Sequence, residues 1–254
     1  MRVKQTSLLT FLLAVSIAAL ACNRNRTESK APDKTEVIDQ IFARYTEAIG
    51  GQEAIERVTT YKARGTFAIS VAQMPGTFEA WGKNPNKSLT VIEFPNMGSL
   101  KKGFDGETNW VQTPVGIFSA KGATEMSEIE RDAEVYRAGK IKNLYQDLKL
   151  ENNARISGRD MWVIEGKPAK GPAEKLFFDK QNGLLVRWDM VRRNPQRGNV
   201  FVKVHLDDYR EVDGVKVPHK VRFNFESFDF VMQIEELQHN VAVDDSMFKK
   251  PGGK

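Results

Sequence analysis

NVFVKVHLDDYREVDGVKVPHKVRFNF, residues 199–225, alternates apolar and polar side chains on both sides of one Asp213-Gly214 pair. Val200, Val202, Val204 and Leu206 share one face of an extended strand, and Val221, Phe223 and Phe225 share one face of the next. Asp-Gly favours the left-handed turn that matches strand twist, so the stretch is predicted to be a β-hairpin with one apolar face. His205 alternates outward with Phe201 and Lys203. Phe228, Phe230 and Met232 continue with shifted parity, which requires a tight turn or bulge at Glu226-Ser227.

The same period extends outward in both directions. TFAISVA (66–72) sets Phe67, Ile69 and Val71 against Thr66, Ala68 and Ser70, and GTFEAWGK, KSLTVIEF, GSLKKGF, TNWVQ and VGIFSA follow. Pro-Gly, Asn-Pro, Pro-Asn and Asp-Gly signals separate them. LKLENNARI, DMWVIEGK, EKLFFD and LLVRWDMVRR lead into the opening hairpin, with a turn at Gln181-Asn-Gly183, and FDFVMQIEELQ leaves it.

Helical spacing occurs in two places. In TEVIDQIFARYTEAIGG (35–51), Val37, Ile38, Ile41, Phe42, Tyr45, Ala48 and Ile49 form one stripe, with Thr35 as N-cap and Gly50-Gly51 as stop. A shorter helix is expected over Gln52 to Val58. Thr124 to Tyr145 sets Met126, Ile129, Ala133 and Tyr136 on one side, and Ser127 with Glu130 fits a capping box. About a dozen antiparallel strands with so few helices predict a mainly β fold: an open, strongly curved antiparallel β-barrel whose concave face the helices cover. A small helical plug in a long curled sheet leaves room for an apolar cavity.

The start of the chain reads differently. Arg2 and Lys4 precede an apolar run, Leu8 to Ala21, that ends in small residues, the pattern of a secretory signal peptide. Its 14 residues are too few for a bilayer of about 20 helical residues. Cys22 is the one cysteine of 254 residues, so no internal disulfide can form. Ala19-Leu20-Ala21-Cys22 resembles a bacterial lipobox, which implies acylation at Cys22, a membrane anchor through that lipid and, with Asn23 next, an outer-membrane address. Residues 1–21 are thus expected to be a signal peptide, 22–34 a polar lipid-attached tether, 35–251 one β-barrel domain and 252–254 a tail. Arg24 and Arg26 either meet anionic headgroups or are solvated linker charges. Removing residues 1–21 lowers the net charge from +5 to +3, because Arg2 and Lys4 leave and no acid does. With export and no basic block or RNA-binding signature, nucleic acid is not expected as a partner.

Enzyme motifs are missing from the sequence. It contains no GxSxG, HExxH, P-loop, GxGxxG or CxxCH, so no cofactor is implied and no catalytic residue is assigned. His205, His219 and His239 are far apart in the sequence, and the acid clusters Asp207-Asp208, Glu235-Glu236 and Asp244-Asp245 are adjacent pairs, which in a strand point to opposite faces. Asp179-Lys-Gln-Asn-Gly183 is a poor calcium loop, since its twelfth position is Met190 instead of Glu. The apolar side chains Phe67, Ile69, Phe78, Trp81, Val91, Phe223, Phe225, Phe230 and Met232 remain as the candidate ligand-binding surface. They either line a lipid cavity or fill an ordinary core.

Five phrases, taken in order, resemble the outer-membrane lipoprotein-sorting family, the Lol-type periplasmic carriers: GFDGETNW (103–110), GRDMWVIEGKP (158–168), LFFDKQNGLLVRWD (176–189), DYREVDGVKVPHKVRF (208–223) and DDSMFKKP (244–251). The resemblance runs from Thr35 to Pro251. It implies an unclosed barrel covered by helices, with a hydrophobic cavity for acyl chains, and no enzyme activity. The soluble members rely on a functional arginine, for which Arg64, Arg187 and Arg222 all lie in suitable strands. The expected function is a lipid-anchored carrier or receptor of the bacterial envelope that binds acyl chains of lipoproteins or another envelope lipid. The alternative is an envelope sensor or scaffold with a filled barrel.

Overall fold

A computed structural model describes residues 33–71, 74–135, 137–194 and 198–252, which form one compact unit. The signal segment, Cys22 and nearly all of the tether lie outside the described residues. No helix among the described residues is long and apolar enough to cross a membrane.

Helix α1 (Lys34–Ala48) buries Ile38, Ile41, Phe42 and Tyr45, the one-sided stripe that the spacing calls for. It starts two residues earlier than expected, so the N-cap position falls on Asp33 and not Thr35. Gly50 ends it with φ +124°, and a side chain there would collide with the Gly214 carbonyl, 2.0 Å from an added Cβ. The Lys216 amide also donates to the Ile49 carbonyl at 2.8 Å, fixing the helix end on a hairpin tip. Helix α2 (Gln52–Glu56) follows.

Fourteen strands come next: β1 (Thr60–Ile69), β2 (Met74–Lys83), β3 (Lys87–Phe94), β4 (Gly98–Phe104), β5 (Asn109–Thr113), β6 (Gly116–Phe118), β7 (Tyr145–Leu150), β8 (Ala154–Ile156), β9 (Arg159–Pro168), β10 (Glu174–Asp179), β11 (Leu185–Asn194), β12 (Gly198–Val212), β13 (Val215–Asn224) and β14 (Asp229–His239). They make one antiparallel sheet in the order β6-β5-β4-β3-β2-β1-β14-β13-β12-β11-β10-β9-β7, with β8 pairing β9. Its two end strands do not pair with each other, so the barrel is open. Asp213 and Gly214, both at positive φ, make the β12–β13 turn of the opening stretch. Gly198 to Asn224 is therefore a hairpin, as its alternation predicts.

Helix α3 (Ala123–Ala133) lies between β6 and β7. The expected single helix over 124–145 instead breaks after Ala133, and Arg137–Leu144 is a 3-10 segment. The Ser127–Glu130 capping box does not form, because helix α3 already begins at Ala123 with Gly122 as N-cap.

Cross-strand pairing decides which side chains share a face. Tyr61, Ala63, Gly65 and Phe67 of β1 belong to the inner face, on which α1 packs, whereas Lys62 and Arg64 point outward. The main core fills the α1 side of this inner face. Phe178, fully buried, takes the Phe42 and Tyr45 rings edge-on at 5.5 and 5.4 Å. Truncating such a ring to alanine costs about 3–5 kcal/mol.

The outer face carries two smaller cores. Met161, Val163, Phe177 and Val186 form one, under β8. Leu89, Trp110 and Phe248 form the other, beneath the C-terminal 3-10 turn Asp245–Phe248. Trp110 Nε1 donates to the Phe248 carbonyl at 2.8 Å, and Lys83 and Lys87 each reach Asp245 at 2.6 Å.

Candidate functional site

The inner face encloses a cavity of about 780 Å³. Ser88 and Thr90 of β3 and Lys102 of β4 form one wall, and Met190, Val204 and Phe223 belong to the wall made by β11, β12 and β13. Three strands separate those walls in the sheet order, so the sheet must curl until its halves face one another. Tyr45 of α1, the α3 helix and Ile141 of the 3-10 segment close the space from the inner side.

The nine expected lining residues divide three ways. Phe223 and Phe225 line the cavity. Phe67, Ile69, Phe78, Phe230 and Met232 share the inner face but do not line the void. Phe67 is 2 % exposed, because its ring lies over Gly76, where an added Cβ would sit 2.4 Å from it. It packs against Phe94 at 5.1 Å and Phe230 at 5.3 Å, and Phe230 reaches Phe223 at 6.0 Å. These rings fill the barrel next to the cavity.

Trp81 and Val91 are corrections. Register pairs Trp81 with Lys62 and Leu89, and Val91 with Glu79 and Lys101, all on the outer face. Both pack on the Leu89–Trp110–Phe248 core, and Lys62 Nζ sits 5.4 Å over the Trp81 ring. The C-terminal turn covers this patch, so apolar residues occur on both faces of β2 and β3, and residue type alone does not say which face is the cavity's.

One wall of the cavity is polar. α3 turns Glu125, Glu128, Ile129, Asp132 and Ala133 toward the void, at helical spacing. Asp132 accepts from Arg192 Nη2 at 2.9 Å. Behind it Glu174, 3 % exposed, accepts from Arg131 at 3.1 Å, Tyr145 Oη at 2.8 Å and Trp188 Nε1 at 2.9 Å. Arg192 Nη1 lies 3.7 Å from Glu174 and is buried without a hydrogen bond. These contacts hold α3 to the sheet where few apolar contacts do. Tyr209 on the opposite wall donates to the Leu185 carbonyl at 2.7 Å. Burial first, then the neighbouring Tyr45, raise its pKa well above 10.0, so it is a neutral donor.

The three arginines considered from sequence all lie on the outer face. Arg64 pairs with Glu236, Arg187 pairs with Asp189, and Arg222 stands opposite His205. The arginine at the cavity is Arg192. The signal for it was available in LLVRWDMVRR, where Trp188, Met190 and Arg192 fall in one phase. No cluster of three or more metal-ligating side chains occurs among the described residues.

No protein-family model matches the sequence, and no curated protein sequence matches it. Solved structures do match. A LolA superfamily protein from Nitrosomonas europaea superposes with a TM-score of 0.58 at 12% identity, covering 84% of this chain and 97% of that one. A DUF1329 family protein from Desulfovibrio piger gives 0.57 at 14% identity, with the same coverage. A domain named for outer membrane lipoprotein sorting, from Vibrio parahaemolyticus, gives 0.53 at 10% identity over 82% of this chain and 94% of that one. At such identities the likeness lies in the fold, and there the resemblance read from the sequence holds. The chain has the LolA-type fold, an open antiparallel sheet curled around a cavity under helices.

Proposed function

We propose that this chain is a non-enzymatic lipid carrier or receptor of the bacterial envelope, taking acyl chains of lipoproteins or of another envelope lipid into the cavity. The observation that supports it is the void itself. A space of about 780 Å³, walled by Met190, Val202, Val204, Val221, Phe223 and Phe225, lies within the range of about 300–1,000 Å³ typical of small-ligand sites. Burying an acyl chain there gains about 0.8 kcal/mol per methylene. The α3 wall, carrying Glu125 and Asp132 beside Arg192 and Lys102, suits the polar end of an amphiphile. The LolA-type fold and the name of the Vibrio parahaemolyticus domain agree with this reading.

Cys22, in its lipobox-like setting, is the proposed attachment point that holds the carrier at the outer membrane, facing the periplasm. Cys22→Ser is then expected to abolish palmitate labelling, and labelling that persists refutes the anchor. The cargo site is tested by titrating a fluorescent fatty acid into the protein. Saturable binding that unlabelled lipid displaces supports the carrier, and no saturable binding favours the filled-barrel scaffold.

A further inference from the structure

On the outer face, away from the cavity, pairing aligns Arg187 of β11, His205 of β12 and Arg222 of β13 in one row across three strands. Directly opposed side chains in such a ladder stand about 4.5–5.5 Å apart at Cβ, and like charges there are destabilising. The rows on either side follow the ordinary rule: Asp189 opposes Lys203, and Asp207 opposes Lys220. The central row alone sets base against base against base. Phe177 stands at one end of it, its ring 4.3 Å under the Arg187 guanidinium, and Val231 at the other.

The donors of this row are underused. Arg187 gives Nε and Nη2 to Asp189, leaving Nη1. Arg222 hydrogen-bonds to no group among the described residues, and its Nε is buried without an acceptor. All three residues are partly exposed, so a ligand can reach the row. Leaving a buried donor unsatisfied is costly, and an arriving oxyanion would recover part of that cost.

We propose that the row Arg187–His205–Arg222 on the outer face is a binding site for a phosphate group, with the Arg222 guanidinium as its principal donor. A tetrahedral oxyanion offers several acceptors at once, which suits a guanidinium fork beside an imidazole N–H. His205 is the reporter. Its pKa lies below 6.5, first from burial, then from Arg222 and Arg187, against weaker upward pulls from Asp207 and Asp189. A bound phosphate brings negative charge between the two arginines and raises that pKa. The phosphate is either that of a lipid headgroup or a free one, and the chemistry of recognition is the same.

The test is histidine-labelled NMR of the full chain, with the His205 resonance assigned through His205→Gln. Inorganic phosphate is titrated against chloride at matched ionic strength. A saturable change confined to His205, with its pKa raised by about half a unit or more, is expected. Arg222→Gln should weaken phosphate about fivefold or more, and Arg187→Gln should weaken it less, because Asp189 already occupies that fork. Lys220→Gln, outside the row, should leave it unchanged. Anionic phosphatidylglycerol vesicles that reproduce the shift identify lipid as the source, whereas inert vesicles with active phosphate identify the free anion. An unmoved His205, an equal response to chloride, or wild-type phosphate affinity in Arg222→Gln overturns the proposal.

Discussion

Phe223→Glu separates a cavity from a filled barrel, because the two arrangements assign the penalty to different measurements. Phe223 lies between Val204 and Phe230 in the ladder and contributes to the cavity wall, half-buried. The Phe230 ring is its aromatic neighbour, at 6.0 Å. Exchanging it there loses wall contacts of about 1–2 kcal/mol, because water in the empty cavity can solvate the new carboxylate. For a domain of this size that lowers the melting temperature by about 2–8 °C. In a filled barrel the ring loss alone is about 3–5 kcal/mol, and a buried carboxylate adds several more, enough to prevent folding. Binding behaves oppositely. An acyl chain must displace that water and desolvate the charge, which at about 2 kcal/mol or more weakens a fluorescent fatty acid roughly thirtyfold. Thermal unfolding and the probe titration on the same preparation read both terms. A variant that unfolds outright, from a wild type that binds no probe, refutes the cavity.

Trp81→Ala removes a ring from the outer core under Phe248, so it is expected to lower the melting temperature by a few degrees yet change probe affinity less than twofold; a large affinity loss would return Trp81 to the cavity. Glu174→Ala leaves Arg131 without its buried partner and Arg192 with only Asp132, so a loss of about 3–5 kcal/mol, or about 6–20 °C, is expected in thermal unfolding, and no loss would mean the network contributes nothing to holding α3. Hydrogen bonds from Lys83 and Lys87 hold the Asp245 carboxyl at about 2, below its ordinary 3.8. A depressed folded pKa stabilises above the unfolded value, and the gain fades as pH falls through the folded one. Asp245→Asn should therefore melt below the wild type near neutral pH and converge with it by about pH 2; a deficit independent of pH would mean that the charge of Asp245 is not responsible.

Strands were legible wherever polarity alternated, since period two is a property of backbone geometry. The 199–225 hairpin, the Gln181–Gly183 turn and the shift at Glu226-Ser227 needed only local residues. Faces were less legible. Phe223 and Trp81 look equivalent in sequence, yet one meets the void and the other meets a C-terminal turn more than 160 residues further along. Whether a ring lines a void or fills it depends on what lies beneath, as Gly76 does for Phe67. The helix over 124–145 was overextended because its apolar spacing continues past Ala133, where the chain changes to a 3-10 segment. The acids of α3 carry no signal of their own, since nothing in the sequence says that Arg192 waits opposite Asp132.

Native mass spectrometry of the wild-type chain, purified from bacteria that express it, tests the acyl-carrying cavity most directly. A carrier is expected to retain adducts of lipid mass that leave on collisional activation, and are therefore not the covalent lipid proposed for Cys22. The same preparation of Phe223→Glu should lose them while remaining folded. Wild-type protein that is folded and free of adducts, and that acquires none when incubated with envelope lipid extract, would contradict the carrier.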